Sequence, residues 1–210
     1  MQIDEVTRIL AIGAGTMGHQ IGFLCAVKGY TVVIYDIDAA LLDAAAARLD
    51  RLADQFIRRG RLAEGEKPSV LARITFTTDP EAAAADVDIV TESVPEDPRL
   101  KGAVFARFNQ LCPARTIFTT NASTLLPSMI ADATGRPDRF LAFHFHDILR
   151  TDVVDVMPHP GTSTASLNLI QDFAGKLGQT VIVLERENSR LKKMIGELTV
   201  ELKKLNEWSE

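Results

Sequence analysis

Apolar and polar positions follow two alternating patterns along the chain. Short apolar runs, as in the segments RILAI, TVVIY and FLAFHF, have the length of buried strands. Between the runs lie longer segments in which apolar residues recur three and four positions apart, as at Leu42, Ala45, Leu49, Leu52 and Phe56. Because strand and helix patterns follow one another repeatedly, the sequence predicts an α/β fold with a doubly wound, mainly parallel sheet.

Two segments depart from this alternation. Residues 38–72 hold a helix too long for a simple crossover, then a turn and a second helix, so we predict a helical hairpin projecting from the sheet. Near the end of the chain, apolar residues recur at alternating steps of four and three, namely Leu191, Ile195, Leu198, Leu202 and Leu205. The sequence therefore predicts a domain over 1–186 and an amphipathic, coiled-coil-like helix over 187–210.

The terminal helix has two interpretations. It either lies back on the domain as a single amphipathic helix or joins a second copy in a short coiled coil. Its apolar stripe covers barely two heptads, and Gly196 costs about 1 kcal/mol inside a helix. These features favour weak pairing or docking, with a homo-oligomer through this helix as a possible consequence.

Composition narrows the class of protein. The chain has 210 residues, of which 46% are hydrophobic, and a net charge of -5, so it can bury a full core and lacks the basic field of a nucleic-acid-binding protein. It contains no apolar run long enough to span a membrane and no secretory signal pattern. Cys25 and Cys112 stand in apolar segments without metal-ligand spacing, which favours core thiols in a reducing cytoplasm and predicts no metal site.

A glycine-rich segment, IGAGTMG, directly follows the first apolar run and precedes a helical pattern. In such a turn Gly13 permits the tight bend, Gly15 admits a pyrophosphate, and Gly18 allows the helix to pack on the strand. The next strand ends in Asp36, at the position of an acid that binds ribose hydroxyls and repels a 2'-phosphate. NAD is therefore the predicted cofactor, although a glycine turn in an unrelated α/β protein has the same letters. The predicted contacts here are Gly13, Gly15, Thr16, Met17, Gly18 and Asp36.

Ligands of doubly wound sheets bind beyond the carboxyl ends of the strands. The sequence places Glu92, Glu96, Asn121 and Ser123 at such ends. His144 ends a further apolar strand, and Asp155 lies in the following strand-like run VVDVMP. A carboxylate bonded to one imidazole nitrogen leaves the other nitrogen free as a general base, with a hydroxyl such as that of Ser123 near the substrate. The alternative is an ordinary histidine near a strand end. Nothing in the sequence singles out His146 or His159.

Over residues 6–188 the chain resembles the NAD-binding domain of the L-3-hydroxyacyl-CoA dehydrogenases. The shared segments are IGAGTMG, YDID, TESVPED followed by Lys101, TTNASTL and RFLAFHF, in family order. The resemblance implies a Rossmann-type fold and NAD-dependent oxidation of the 3-hydroxyl of an acyl-CoA in fatty-acid metabolism. It further implies that His144 takes the hydroxyl proton, that Asp155 stands in for the family's partner glutamate, and that Ser123 contacts substrate and nicotinamide.

The resemblance also assigns further contacts. Glu96 and Lys101 match the charged residues near the cofactor ribose and phosphates, and Asn121 and Asp147 join the cofactor set. The basic cluster of Arg58, Arg59 and Arg61 matches the region that contacts CoA, although an ordinary solvated helix end is the alternative from charge alone.

Two departures from the family lie around the histidine. The family usually reads HFFNP where this chain reads HFHDI, so Asp147 replaces an asparagine. The partner acid is an aspartate, one residue closer in sequence than the family's glutamate. Because aspartate is a methylene shorter, we expect either a compensating loop or a looser pairing with His144.

The last residues raise a question about activity. Where the family continues into a helical domain that encloses the substrate, this chain has the helix of 187–210, which loosely resembles a segment of insertion-element transposases. We therefore expect a chain truncated before its substrate domain, with NAD binding but weak or absent turnover. Two alternatives remain, a non-catalytic NAD-binding module that oligomerises through its tail and a CoA-independent hydroxy-acid dehydrogenase of the same fold.

Overall fold

A single eight-stranded sheet forms the centre of the molecule. The computed structural model describes residues 1–184, and its strands stand in the order β3-β2-β1-β4-β5-β6-β7-β8. Their bounds are β1 Arg8–Ile12, β2 Thr31–Tyr35, β3 Ile74–Thr77, β4 Ile89–Glu92, β5 Ile117–Thr120, β6 Phe140–Phe145, β7 Val153–Met157 and β8 Thr180–Val183. All neighbouring strands are parallel except β6 and β7. The predicted doubly wound α/β fold is confirmed.

Within residues 1–184, six α-helices connect or follow these strands. They are α1 Thr16–Val27, α2 Ala39–Arg58, α3 Lys67–Leu71, α4 Pro80–Ala84, α5 Pro98–Leu111 and α6 Thr164–Lys176. Short 3-10 turns lie at Ile3–Glu5, Glu64–Glu66, Pro127–Met129, Ala131–Thr134 and Pro137–Arg139. Aspartate side chains cap three of the helices: Asp38, Asp79 and Asp97 each accept a hydrogen bond from a backbone amide in the first helical turn. The start points of these helices are therefore encoded locally.

The central strands are buried on both faces, as expected for a sheet covered by helices on both sides. Ile9 and Ala11 of β1 belong to one apolar cluster, whereas Leu10 and Ile12 belong to another. Successive side chains of a strand point to opposite faces, so β1 contributes to two cores at once. This explains why its sequence is continuously apolar rather than alternating.

The predicted helical hairpin is present over residues 39–71. Its first arm, α2, buries Leu42, Ala45, Leu49, Leu52 and Phe56. Phe56 meets Phe23 of α1 edge to face, with ring centroids 5.1 Å apart, so the apolar side of the hairpin packs on the domain. The second arm, α3, has only five residues.

Three other sequence predictions concern the body and the end of the chain. Cys25 and Cys112 are free and buried, and burial raises the pKa of the Cys112 thiol to about 11. Within residues 1–184, no helix combines the length and apolar character needed to cross a membrane. The helix predicted over 187–210 lies outside the described residues.

Candidate active site

The glycine loop between β1 and α1 forms the start of the site. It is held in place by the neighbouring strands, because the Gly13 amide donates to the Tyr35 carbonyl at 2.8 Å and the Ser93 amide donates to the Ile12 carbonyl at 2.8 Å. Gly13 has a φ of 96°, a conformation that favours glycine. Gly15 precedes the first residue of α1 and offers no side-chain cap. The first amides of α1 are thus available to an anionic group.

The three glycines differ in what surrounds them. A Cβ at Gly18 would stand 1.7 Å from the Gly13 carbonyl oxygen, so this glycine permits the loop and helix to pack. A Cβ at Gly15 would meet no atom of residues 1–184 within 4 Å. The space beside Gly15 is therefore open, and it suits a pyrophosphate that must approach the backbone closely.

Asp36 follows β2 and lies beside the glycine loop. Its Oδ2 accepts a hydrogen bond from the Ala14 amide at 2.8 Å, and its Oδ1 accepts one from the Asp38 amide at 3.1 Å. Asp36 lines a cleft of about 650 Å³ together with Gly13, Gly15 and the apolar side chains of Ile37, Leu41, Val104 and Phe108. An acid beside an apolar cleft and a glycine loop fits the adenosine half of NAD.

A second cleft, of about 420 Å³, lies at the carboxyl ends of the strands. It is lined by Thr16, Met17, Ser93, Val94, Glu96, Lys101, Asn121, Ser123, His144, Phe145, His146 and Asp147. Ser93 and Val94 line both clefts, so the two are adjacent. A dinucleotide that lies across Ser93 and Val94 would place its nicotinamide half beside His144. The structure thus brings the predicted cofactor residues and the predicted base together.

Lys101 of α5 is buried at the edge of this second cleft. Its side chain is 1% exposed, and its Nζ donates to Glu92 Oε1 at 2.7 Å and to the Val94 carbonyl at 3.0 Å. Glu92 also accepts hydrogen bonds from Thr120 Oγ1 and the Val94 amide. Glu92 therefore lies inside the protein as the partner of Lys101, whereas the sequence pattern placed it at the mouth. Burial raises the pKa of Glu92 despite the opposing charge of Lys101.

Glu96 stands on the cleft side of the same lysine, with Oε2 3.6 Å from Lys101 Nζ. Its Oε1 accepts hydrogen bonds from the amide and the hydroxyl of Thr124, at 2.7 and 3.0 Å. Partial burial raises the pKa of Glu96, but these hydrogen bonds and the Lys101 charge outweigh it and hold the pKa below its ordinary value. Glu96 thus presents a carboxylate to the cleft.

His144 and Asp155 are directly opposite one another on the antiparallel strands β6 and β7. Their closest atoms, His144 Nδ1 and Asp155 Oδ2, are 3.5 Å apart, which exceeds the length of a good hydrogen bond. His144 Nδ1 is buried and makes no hydrogen bond within residues 1–184. The predicted pair is therefore in place but loosely joined, as the shorter acid implies. Because His144 lines the cleft while Nδ1 faces Asp155, Nε2 is the nitrogen available to a substrate.

His146 is a site residue that the sequence reasoning missed. Its Nε2 lies 3.3 Å from Asp155 Oδ2, and its ring centroid lies 4.7 Å from that of His144. The period of a strand contained the signal: Phe143 and Phe145 point into the core, so His144 and His146 share the opposite face. The expectation that nothing singles out His146 was wrong, because both imidazoles approach one carboxylate.

Asn121 and Asp147 shape the wall of the cleft. Asn121 Oδ1 accepts a hydrogen bond from the Phe145 amide at 2.7 Å and so fixes the end of β6. Asp147 Oδ1 accepts one from the Leu149 amide at 2.9 Å, and Asp147 Oδ2 lies 3.2 Å from Arg150 Nε. The carboxylate that replaces the family's asparagine therefore caps a turn and pairs with an arginine of the same turn.

The three arginines near the end of α2 have different environments. Arg61 donates to the Ile148 carbonyl and to Asp152 Oδ1, both at 2.7 Å, and Arg59 donates to the Leu149 carbonyl. These two arginines hold the segment that follows His146. The Arg58 side chain is exposed and makes no hydrogen bond or ion pair within the described part of the chain. Of these three arginines, only Arg58 has a guanidinium group that does not bind residues 148–152.

Comparison with known proteins places the chain in a family. Residues 8–188 match the family model described as 3-hydroxyacyl-CoA dehydrogenase, NAD binding domain. The chain therefore belongs to this family of NAD-dependent oxidoreductases, and the matched region agrees with the resemblance seen at 6–188.

Several relatives are similar to this chain over most of its length. The fatty acid oxidation complex subunit alpha of Idiomarina loihiensis is 32% identical over 181 residues, which are 86% of this chain and 25% of that protein. A diketoreductase structure has a TM-score of 0.82 and 36% identity, covering 87% of this chain and 65% of its own. The structure of 3-hydroxybutyryl-CoA dehydrogenase from Escherichia coli K12 has a TM-score of 0.80 and 29% identity to this chain. The match covers 85% of this chain and 38% of that one.

The chain thus spans a quarter of the length of the first of these relatives and less than two thirds of the two solved structures. The family match ends at residue 188, and none of these relatives is a transposase. The transposase resemblance of the terminal segment therefore has no support from them.

Proposed function

We infer that this protein binds NAD and uses His144 to oxidise the 3-hydroxyl group of an acyl-CoA, the type of reaction that belongs to fatty-acid oxidation. The observation that carries the inference is the adjacency of the two clefts: Gly15 lines the first, His144 lines the second, and Ser93 and Val94 line both. Membership of the dehydrogenase family and the names of the relatives support the same reaction. Bound NAD would supply the hydride acceptor.

His144 is the proposed base for the hydroxyl proton. Its Nε2 is available in the cleft, and Asp155 stabilises the positive ring that forms when the proton arrives. Ser123 lines the same cleft and is the proposed hydroxyl contact for the substrate oxygen. Lys101 and Glu96 line the same cleft, and we assign them to the ribose and phosphates of the cofactor.

The CoA part of the substrate is assigned to Arg58, which is exposed and uncommitted to other contacts. Arg59 and Arg61 serve this role less directly, since they hold residues 148–152 beside the site. A second candidate is a CoA-independent reduction of a small dicarbonyl compound. The likeness to a diketoreductase, at 36% identity, favours it.

The experiment that tests the proposal combines NADH titration by fluorescence with NADH oxidation in the presence of acetoacetyl-CoA or acetoacetate. We expect binding, with turnover of acetoacetyl-CoA that exceeds turnover of acetoacetate. Preference for acetoacetate would establish the second candidate, and failure to bind NADH would contradict both. The assay uses enzyme in excess over substrate, so that a single turnover is detected.

The glycine loop gives a sharp test of cofactor binding. Gly15→Val should weaken NADH binding at least about tenfold, because its side chain occupies the space that we assign to the pyrophosphate. It should change the free energy of unfolding by less than about 1 kcal/mol, since no atom of the described part of the chain lies within 4 Å of the added Cβ. Gly65→Ala is the control, because it also adds a Cβ in open space and lies outside both clefts. Equal NADH affinity of Gly15→Val and the unmodified protein would remove the pyrophosphate from this loop.

Arg58 provides the test of CoA recognition. Arg58→Gln should raise the KM for acetoacetyl-CoA about fivefold and leave the KM for acetoacetate unchanged, because only the first substrate carries phosphates. Arg99→Gln, an exposed arginine of α5 that lines neither cleft, should change neither value. Equal effects of Arg58→Gln on both substrates would count against a CoA contact at this position.

A further inference from the structure

His144, His146 and Asp155 form a compact group of ligand atoms at the edge of the second cleft. One nitrogen from each histidine and one carboxylate oxygen all lie within 4.8 Å of one another. Asp155 Oδ2 is 3.5 Å from His144 Nδ1 and 3.3 Å from His146 Nε2. We propose that this group binds a divalent transition-metal ion of the zinc type, and that the ion inhibits the base function of His144.

The distances carry the first part of the proposal. Ligand atoms about 2.0–2.1 Å from a zinc ion in tetrahedral geometry lie about 3.3 Å from one another. The two separations to Asp155 Oδ2 agree with this edge length, and the one at 3.5 Å is longer than a good hydrogen bond. The buried Nδ1 of His144 has no hydrogen bond within residues 1–184, so an ion would satisfy it.

The chemistry of the donors selects the metal. Two imidazoles and one carboxylate suit zinc, cobalt and nickel, whereas magnesium and calcium prefer sites made of oxygen ligands alone. Three protein ligands leave the fourth tetrahedral position for water. His146 is 38% exposed, so the site has a route of entry from solvent, while Asp155 is 5% exposed and fixes the inner side.

The fold gives the group its rigidity. His144 and Asp155 face each other across the β6–β7 ladder, and His146 follows β6 on the same face. Phe143 and Phe145 anchor the alternate positions in the core, with ring centroids 4.5 Å apart. Two of the three ligands are therefore held by strand geometry and the third directly follows its strand, which lowers the cost of ordering them around an ion.

The consequence for His144 follows from its two nitrogens, and this part rests on the proposed function. An ion on Nδ1 requires that nitrogen to be unprotonated, so the neutral ring carries its proton on Nε2. Nε2 then cannot accept the proton of a substrate hydroxyl. The ion also engages Asp155, which would otherwise stabilise the protonated ring. Metal binding and proton abstraction are thus mutually exclusive states of the same histidine.

Cobalt titration of the metal-free 210-residue chain tests the site directly. We expect one equivalent of Co²⁺ to produce the intense visible absorption of tetrahedral cobalt, and Zn²⁺ to displace it. His146→Phe should weaken Co²⁺ binding at least about hundredfold, because it removes a ligand, and outer-shell changes alone cost about 10–100-fold. His159→Gln is the matched control, because it removes a histidine that lies outside the group. Thermal unfolding of each variant verifies that it is folded.

The outcomes separate the site from the reaction. Absence of Co²⁺ binding to the unmodified protein, or equal binding by His146→Phe, overturns the metal site. Zinc should inhibit acetoacetyl-CoA reduction by the unmodified protein and by His159→Gln at much lower concentration than in His146→Phe; equal inhibition of all three overturns the inhibitory role. If Co²⁺ binds as expected while no zinc-free form oxidises NADH, the metal site stands and the proposed dehydrogenase activity fails.

Discussion

Replacing His144 by glutamine should lower the rate of acetoacetyl-CoA reduction about 10²–10⁴-fold, the range that general acid–base catalysis contributes. Reduction requires a proton for the substrate oxygen, and His144 is the proposed donor in this direction. Glutamine retains polarity and most of the side-chain volume but cannot exchange a proton near neutral pH. The affinity for NADH should change little, because the glycine loop and Asp36 supply the assigned contacts of the cofactor's adenosine half.

The measurement is a single-turnover reaction with enzyme in excess over substrate, which detects slow chemistry that steady-state assays miss. His159→Gln serves as the control, because His159 contacts the Pro137 carbonyl and lines neither cleft. A His144→Gln rate equal to that of the unmodified protein would show that another group donates the proton. Loss of NADH binding together with rate would indicate a structural role instead.

The sequence predicts the fold well where local and global signals agree. The apolar runs become the strands of one sheet, and the aspartates before α2, α4 and α5 cap those helices. The glycine loop is predicted for the same reason, since tight turning, close approach and helix packing each require glycine at a fixed spacing. These features depend on short stretches of chain, so short patterns encode them.

Contacts between distant segments are less accessible to sequence patterns. The pairing of Glu92 with Lys101 depends on how α5 packs on β4, and a strand-end position alone suggested exposure. The role of Arg59 and Arg61 depends on residues about ninety positions away. His146 is a different case, because its register with His144 is visible in the sequence, but the shared carboxylate of Asp155 emerges only when β6 meets β7.

Replacing Lys101 by methionine should lower the free energy of unfolding by about 3–5 kcal/mol near pH 7, the usual cost of removing one partner of a buried ion pair. Methionine fills most of the volume of the lysine stem, so the main loss is electrostatic. Glu92 is 0% exposed and would lose the cation that stabilises its charged form. Lys67→Met is the contrast, since Lys67 pairs with the more exposed Asp50 and Asp54 and its loss should destabilise far less.

The pH dependence and a double substitution identify the cause. Burial already raises the pKa of Glu92 in the folded protein, and removal of Lys101 should raise it further. A carboxyl with a raised folded-state pKa binds protons more tightly when folded, so its contribution to stability falls as pH rises through that pKa. The free energy of unfolding that Lys101→Met loses relative to the unmodified protein should therefore become smaller as pH falls from about 8 toward 5.

Glu92→Gln combined with Lys101→Met should recover most of the lost stability, because neither buried side chain is then charged. Urea denaturation without cofactor measures the free energy of unfolding of the unmodified protein, Lys101→Met, Glu92→Gln and the double variant. If the stability lost in Lys101→Met depends neither on pH nor on residue 92, the effect comes from packing instead of charge.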